Sequence, residues 1–269
     1  MKAAVIHAPH DLRIEEREVP ALGPRDVKVR VSRGGICGSD LHYFHHGGFG
    51  AVRVKAPMVL GHEVAGEVVE VGAAVTAVRP GQMVAVNPSL PCNACRFCLA
   101  GQQQHCLDMR FYGSAMRNPH VDGGFRQMLV CDESQAVPAD MPAERAAFAE
   151  PLAVCLHAGR QAGALLGARV LVTGAGPIGA LLVMVARHAG AAEIVATDLA
   201  DAPLAISRRI GADHTVNMRD TPDGLAPFTL EKGQFDLAFE ASGSGAALAG
   251  ALAAVRPGGT VVQVGNGVG

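Results

Sequence analysis

Gly174-Ala175-Gly176-Pro177-Ile178-Gly179 stands between a run that reads as a buried strand, Val170-Leu171-Val172-Thr173, and an apolar run that reads as a helix through about Ala189. This is G-x-G-x-x-G between strand and helix, the setting in which the motif cradles a dinucleotide. Gly174 makes the tight turn, Gly176 lets the backbone approach a pyrophosphate, and Gly179 lets helix and strand pack closely. Pro177 and Ile178 open the helix, whose first amides supply donors to the anion. A second strand, Glu193 to Thr197, ends at Asp198, 19 residues after Gly179, where ribose hydroxyls are expected. A carboxylate there repels the extra phosphate of NADP and favours NAD; Arg208 and Arg209 keep NADP as the alternative. The plainer reading of the glycines is an ordinary turn in a fold that binds no nucleotide, and Asp198 weighs against it.

The alternation continues. Pro203–Ile210 reads as a helix, 211–216 as a turn and strand, Phe235–Glu240 as a strand, Ala246–Val255 as a helix and Thr260–Val264 as a fifth strand. Such alternation predicts a doubly wound parallel sheet. The chain stops at Gly269 one strand short of the six of a full dinucleotide sheet, so a C-terminally truncated sheet is expected.

Before about Val137 the pattern is different. Short β-rich runs are cut by Gly and Pro, as in Val27-Lys28-Val29-Arg30-Val31, in 64–71 with Gly66 as a bulge or close approach, and in Met83–Val86 after Pro80-Gly81. A barrel or sandwich is expected. At 269 residues and 49% apolar content the chain has material for two cores. The expected division is 1–150 for the β-rich domain and 151–269 for the nucleotide domain.

Two metal signals fall in the first domain. Cys92, Cys95, Cys98 and Cys106 form C-x2-C-x2-C-x7-C, a lobe of about 90–108. Four thiolates at that spacing close a tetrahedral structural zinc site with no position left for substrate. An iron–sulfur cluster uses similar spacing, but nothing else in the chain points to electron transfer. The second signal is Gly61-His62-Glu63, a histidine and a carboxylate between apolar runs. A carboxylate in such a place needs a partner. Cys37, in Gly34-Gly35-Ile36-Cys37-Gly38-Ser39-Asp40, and Glu150, in Phe148-Ala149-Glu150-Pro151-Leu152, are available to it. One zinc held by Cys37, His62 and one or both of Glu63 and Glu150 is expected, with a position open for water or substrate. Taken alone, His62 could be a core histidine and Glu63 an edge-strand charge. Cys131 and Cys155 lie in apolar surroundings and read as inert buried thiols.

A formal net charge of −2 and the absence of charge runs point away from nucleic acid and anionic membranes. The N-terminus reads as a strand rather than a signal peptide, and no apolar run is long enough to span a bilayer. A cytoplasmic protein is expected.

On these motifs the whole chain resembles the zinc-dependent medium-chain alcohol and polyol dehydrogenases. Gly35-Ile36-Cys37-Gly38-Ser39-Asp40 is similar to the family's catalytic-zinc cysteine loop and Gly61-His62-Glu63 to its histidine element. The four-cysteine lobe is similar to its structural site, and Gly174 to Gly179 to its coenzyme loop. Glu150-Pro151-Leu152-Ala153 resembles the sorbitol-dehydrogenase branch, where glutamate replaces a third-ligand cysteine. The resemblance implies a GroES-like β-barrel catalytic domain followed by a Rossmann domain, and two zinc ions. It implies Cys37, His62 and Glu63 as ligands, with Glu150 on the metal directly or through its water. The text around Arg33–Tyr43, Asp108–Met116 and Pro119–Phe125 resembles members that oxidise a sugar acid to its 5-keto form, with sorbitol and xylitol as neighbouring alternatives.

The implied chemistry is reversible hydride transfer between a secondary alcohol and NAD, with zinc lowering the pKa of the substrate hydroxyl. Ser39 is a candidate for the first step of a proton relay, with His42 or His45 beyond it. Tyr43, Arg110, Phe111 and Ser114 are candidates for the substrate pocket. Homo-oligomers are implied for the full-length chain. A non-catalytic NAD(H)-binding protein and an inactive fragment are the competing readings.

Overall fold

The computed structural model describes Met1–Gly267. The chain divides into two compact units, Met1–Glu150 and Pro151–Gly269.

In the first unit, the alternation at Val27 to Val31 becomes the strand Asp26–Gly35. Val27 and Val29 are fully buried, each worth about 1.5–3 kcal/mol of burial. The outward Lys28 and Arg30 pair with Glu70 and Glu67 on the neighbouring strand Glu63–Val71. These strands form the middle of a five-stranded antiparallel sheet. Its order is Met128–Asp132, Asp26–Gly35, Glu63–Val71, Met83–Val86 and Ala136–Pro138. The register slips between Val31 and Arg33 opposite Gly66, where a Cβ would lie 2.1 Å from the Arg30 carbonyl oxygen. Gly66 is thus the close approach, and the extra residue, Ser32, is on the facing strand.

A second, three-stranded sheet pairs Lys2–Ala8 with Asp11–Glu16 and with Met58–Val59. An isolated bridge between Ala3 and Arg126 and the bond from Ala4 N–H to the Phe125 carbonyl stitch the two sheets into a partly open barrel.

The cysteine loop departs from expectation. The polar stretch after Cys37 is a nine-residue helix, Gly38–His46. Its composition is poor for a helix, so its ends hold it. Asp40 accepts from the Cys37 N–H at 3.0 Å, and Gly47 closes the helix at φ +69°.

The second unit is a parallel five-stranded sheet. Its order is His214–Asn217, Glu193–Asp198, Arg169–Thr173, Phe235–Glu240 and Val255–Gln263. By position in the chain this is 3-2-1-4-5, the doubly wound order of a dinucleotide fold. Val170, Leu171 and Val172 are fully buried, as a parallel strand covered on both faces requires. Helix Pro177–His188 buries Leu181, Leu182, Val183 and Ala186. The helices Asp201–Ile210 and Gly245–Ala254 make further crossovers. The last strand begins at Val255 rather than Thr260. Val255 pairs with Phe235, and 256–259 bulge out, with Gly258 at φ +77°, before pairing resumes at Thr260. No helix among the described residues is long and apolar enough to cross a membrane.

Candidate metal centre and coenzyme site

The first candidate centre lies at the meeting of two strand ends and a helix start. Gly35 ends one strand opposite Glu63, which begins the next. Cys37 is the N-cap of Gly38–His46. One ligand atom from each of Cys37, His62 and Glu63 lies within 4.8 Å of the others, and His62 and Glu63 are buried. Gly61 holds φ +91°, and a Cβ there would meet the Phe125 ring at 2.2 Å. Only glycine lets the chain turn between Leu60 and His62.

Asp40, whose role no local sequence pattern marks, ties this arrangement together. It is buried, and its carboxylate accepts from Cys37 N–H and from Gly61 N–H at 3.2 Å. Both segments that carry ligands therefore hang on one side chain. Glu150, in the first turn of helix Ala149–Ala162, is not part of the 4.8 Å group. It is close enough to feel His62, Glu63 and Asp40 electrostatically.

The electrostatics ask for a cation. Burial pushes the Asp40, Glu63 and Glu150 carboxyls and the Cys37 thiol above their ordinary values. The mutual repulsion of these carboxylates adds to the rise at Glu63 and Glu150, and the nearby imidazole of His62 opposes it. Three carboxylates and a thiol crowd one histidine, whose Nδ1 is buried without a hydrogen-bond partner. A thiolate, an imidazole and a carboxylate converging there are the ligand types zinc takes. The residues present fit that ion.

Around the centre, Ser39 hydrogen-bonds to Cys37, and the Phe111 ring lies 5.4 Å from the His62 ring. Tyr43 is buried in a cluster with Ile6, Met58, Leu60 and Ala115. Its hydroxyl accepts from Ala115 N–H at 3.1 Å and bonds to Ser114, so Tyr43 and Ser114 act as a pair. Arg110 is exposed and lines a cavity of about 440 Å³ with Tyr112, Asp132 and Gln135, whose walls include none of Cys37, His62 and Glu63.

The second cluster is Cys92, Cys95, Cys98 and Cys106, with all four sulfurs within 4.8 Å of one another. Cys95 and Cys98 are 3.5 Å apart and Cys92 and Cys98 4.0 Å. A disulfide would need about 2.05 Å. Tetrahedral zinc–thiolate bonds of about 2.3 Å put sulfurs about 3.8 Å apart. Backbone N–H groups of Cys92 and Asp108 donate to the Cys106 sulfur, and that of Cys95 to Cys92. Amide donors around Cys95, that of Leu107 foremost, bring its thiol down to about 6. Donors to sulfur favour the thiolate at Cys95 and Cys106, while burial, with the neighbouring cysteines, pushes Cys98 up to about 12, a rise that a bound cation would offset, so this lobe fits a closed zinc site. Cys131 and Cys155 are buried away from both clusters.

In the second unit, Gly174 holds φ +86°, and a Cβ on Gly179 would lie 1.8 Å from the Gly174 carbonyl oxygen. Gly176 needs its glycine for neither reason: its φ is −60° and nothing lies within 4 Å of a Cβ built there. The space before the amides of Pro177–His188 is open, and no side chain caps that helix. Asp198 Oδ2 accepts from Ala175 N–H at 2.8 Å, which fixes the carboxylate at the strand end. It borders a cavity of about 500 Å³ walled by Thr173, Leu199, Met218, Ser242 and Ser244. An uncapped helix terminus beside a cavity with an anchored carboxylate fits a dinucleotide.

Comparison with known proteins agrees with both units. Residues 23–142 match the alcohol dehydrogenase GroES-like domain and 177–269 the zinc-binding dehydrogenase domain. The chain is 47% identical to L-idonate 5-dehydrogenase (NAD(P)(+)) of Escherichia coli K12, over 89% of this chain and 69% of that protein. The crystal structure of that species' L-idonate 5-dehydrogenase superposes with a TM-score of 0.92, covering 99% of this chain and 76% of that one. Sorbitol dehydrogenase of Gallus gallus is 39% identical over 98% of this chain and 75% of its own length. A zinc-binding dehydrogenase of Sinorhizobium meliloti, solved bound to NADP, is 31% identical with a TM-score of 0.86, covering 99% of this chain and 77% of that one. With a half-buried thiol, a buried imidazole and a buried carboxylate converging beside a four-cysteine lobe in one unit and a coenzyme loop in the other, this chain belongs to the zinc-binding medium-chain dehydrogenase family.

Proposed function

We propose that the chain oxidises a secondary alcohol of a sugar acid or polyol with NAD as acceptor, and that L-idonate, taken to 5-keto-D-gluconate, is its substrate. The convergence of half-buried Cys37 with buried His62 and Glu63, among carboxyls that burial and mutual repulsion push up, carries this reading. Those three residues would hold the zinc. Glu150, outside their group yet electrostatically coupled to them, is assigned to the metal through a water molecule. When bound, zinc supplies a Lewis acid that lowers the pKa of the substrate hydroxyl, and the coenzyme supplies the hydride acceptor. Ser39, hydrogen-bonded to Cys37, is assigned the first step of proton transfer toward solvent. Phe111 walls the centre beside His62, and the Tyr43–Ser114 pair sets its polar side. Asp198 supports NAD over NADP.

Sorbitol is the second substrate to consider, because the chain is also 39% identical to a sorbitol dehydrogenase. A cytoplasmic homo-oligomer is the proposed setting, and this part rests on the family resemblance alone.

The test is reduction of NAD by zinc-assayed protein across L-idonate, sorbitol, xylitol and ethanol, with Glu150→Ala alongside. Turnover of L-idonate that falls in the variant supports the reading. Faster turnover of sorbitol keeps the chemistry and discards the substrate. No turnover from zinc-replete protein discards the activity for this chain.

A further inference from the structure

Four histidines gather on a surface of the first unit outside both zinc centres. His42, His45 and His46 occupy the last turns of helix Gly38–His46, and His10 comes from the turn after the first strand. His42 and His46 are one helical turn apart on the same face, with ring centroids 6.1 Å apart and planes inclined at 37°. His45 and His46 are 6.0 Å apart, and His10 and His45 5.5 Å. The turn that carries His10 is fixed to the helix, since His10 N–H donates to the Phe44 carbonyl at 2.7 Å and its ring packs on Phe44.

His10, His45 and His46 are exposed and His42 partly so. No hydrogen bond or ion pair engages these four rings among the described residues. No three of them converge on one point; the triads within 4.8 Å are those of the two zinc centres. The chelating unit is therefore a pair. Two imidazoles on one ion with metal–nitrogen bonds of about 2.0–2.1 Å place their ring centroids about 4.5–5.2 Å apart, about 1 Å closer than His42 and His46 stand. His42 and His46 reach that spacing with a small rotamer change. Histidines at i and i+4 on a helix are a recurring metal-binding pair. Imidazole pairs suit copper, nickel and zinc.

We propose that His42 and His46 form a third, exchangeable site for a divalent transition-metal ion, completed by water. It lies at the C-terminal end of the helix whose N-cap is Cys37, and it is distinct from the two zinc centres. Bidentate chelation is worth on the order of a hundredfold over a single imidazole.

The test titrates nickel(II) into untagged, zinc-replete protein by calorimetry at neutral pH, with zinc counted before and after. The expected result is one equivalent of nickel bound with both zinc ions retained. His46→Ala, an exposed change that leaves both zinc centres intact, should weaken that binding on the order of a hundredfold. His10→Ala should leave it within about twofold, because His10 lies outside the chelating pair. The proposal is overturned if no nickel binds, if zinc leaves as nickel enters, if His46→Ala binds as the unmodified chain does, or if His10→Ala weakens binding as much as His46→Ala.

Discussion

The carboxylate of Asp40 accepts a hydrogen bond from the backbone N–H of Gly61, 21 residues further along the chain, while its other oxygen accepts from Cys37 N–H. Asp40 thus sets the spacing between the segment that carries Cys37 and the one that carries His62 and Glu63. Asparagine has a single acceptor oxygen and would turn an amide N–H₂ toward one of the two donors. Asp40→Asn is expected to lower zinc affinity at this centre roughly 10- to 100-fold. Chelator competition on the purified variant measures it, with the four-cysteine zinc retained as the internal reference.

Much of this architecture could be read before folding because its cause is local. Lys28 and Arg30 alternate with Val27 and Val29 since one face of their strand is buried and the other is paired with Glu70 and Glu67. The spacing from Gly174 to Gly179 and on to Asp198 follows from a tight turn, one helix and one strand. Helix Gly38–His46 is not legible in the sequence because it has no apolar stripe; a backbone N–H, a carboxylate and a left-handed glycine hold it. Asp40 is illegible for the reason any buried carboxylate is. In a sequence it looks like a surface charge, and only the donors that folding brings to it show otherwise. The Tyr43–Ala115 bond, across 72 residues, is equally invisible locally.

The four-cysteine lobe has no apolar core to fall back on. Cys98 is its one buried cysteine, while Leu99 is 76% and Leu107 66% exposed. Metal binding must supply the stability that packing does not. Cys98→Ser is expected to reduce zinc to one ion per chain and to open 92–106 to limited proteolysis. Cys37→Ser should lose the other zinc and leave the lobe resistant. Zinc analysis paired with mass-mapped proteolysis distinguishes the two.

Acid should weaken the second unit through Asp236. Its carboxylate accepts from Arg169 N–H at 2.8 Å and from Arg256 Nε at 2.7 Å. The backbone donor, followed by Arg256, holds it below the ordinary carboxylate range. The unfolded chain, with a value of about 3.9, takes up the proton first as pH falls. The stabilisation is therefore complete above about pH 5 and is lost progressively below about pH 4, as pH approaches the folded value. Asp236→Asn is expected to unfold at lower urea than the unmodified chain at neutral pH, with the gap narrowing as pH falls below about 4. Urea midpoints across that range check the convergence.

The coenzyme preference proposed for Asp198 rests on its charge rather than its shape. Asn at this position keeps an acceptor for Ala175 N–H and loses the negative charge. A hydrogen bond to a charged group is worth about 1.5–3 kcal/mol. Asp198→Asn is expected to lower the ratio of kcat/KM for NAD to that for NADP by roughly 10- to 100-fold. Steady-state kinetics with both coenzymes at fixed substrate measure it.

Glu240 holds another part of the lining of the same cavity from inside the protein. It is fully buried at the end of its strand. Its Oε1 accepts from Ser242 N–H at 2.8 Å, from Gly243 N–H at 3.0 Å and from the Ser242 hydroxyl. Three donors on one oxygen draw the chain round so that Ser242 and Ser244 face the cavity beside Asp198. Glutamine keeps the shape and can supply one acceptor oxygen, but its N–H₂ must then replace Oε2, which faces Gly243 N–H at 3.2 Å and lies 2.8 Å from where a Cβ on Gly265 would stand. The loss of charge weakens three bonds, and the reversed group meets a donor. Glu240→Gln is expected to cost about 2 kcal/mol or more in stability and to weaken NAD binding by displacing the 242–244 loop. A urea midpoint and a calorimetric NAD titration separate the effects. A lowered midpoint with unchanged NAD affinity would assign Glu240 to the sheet alone and remove it from the shaping of the cavity.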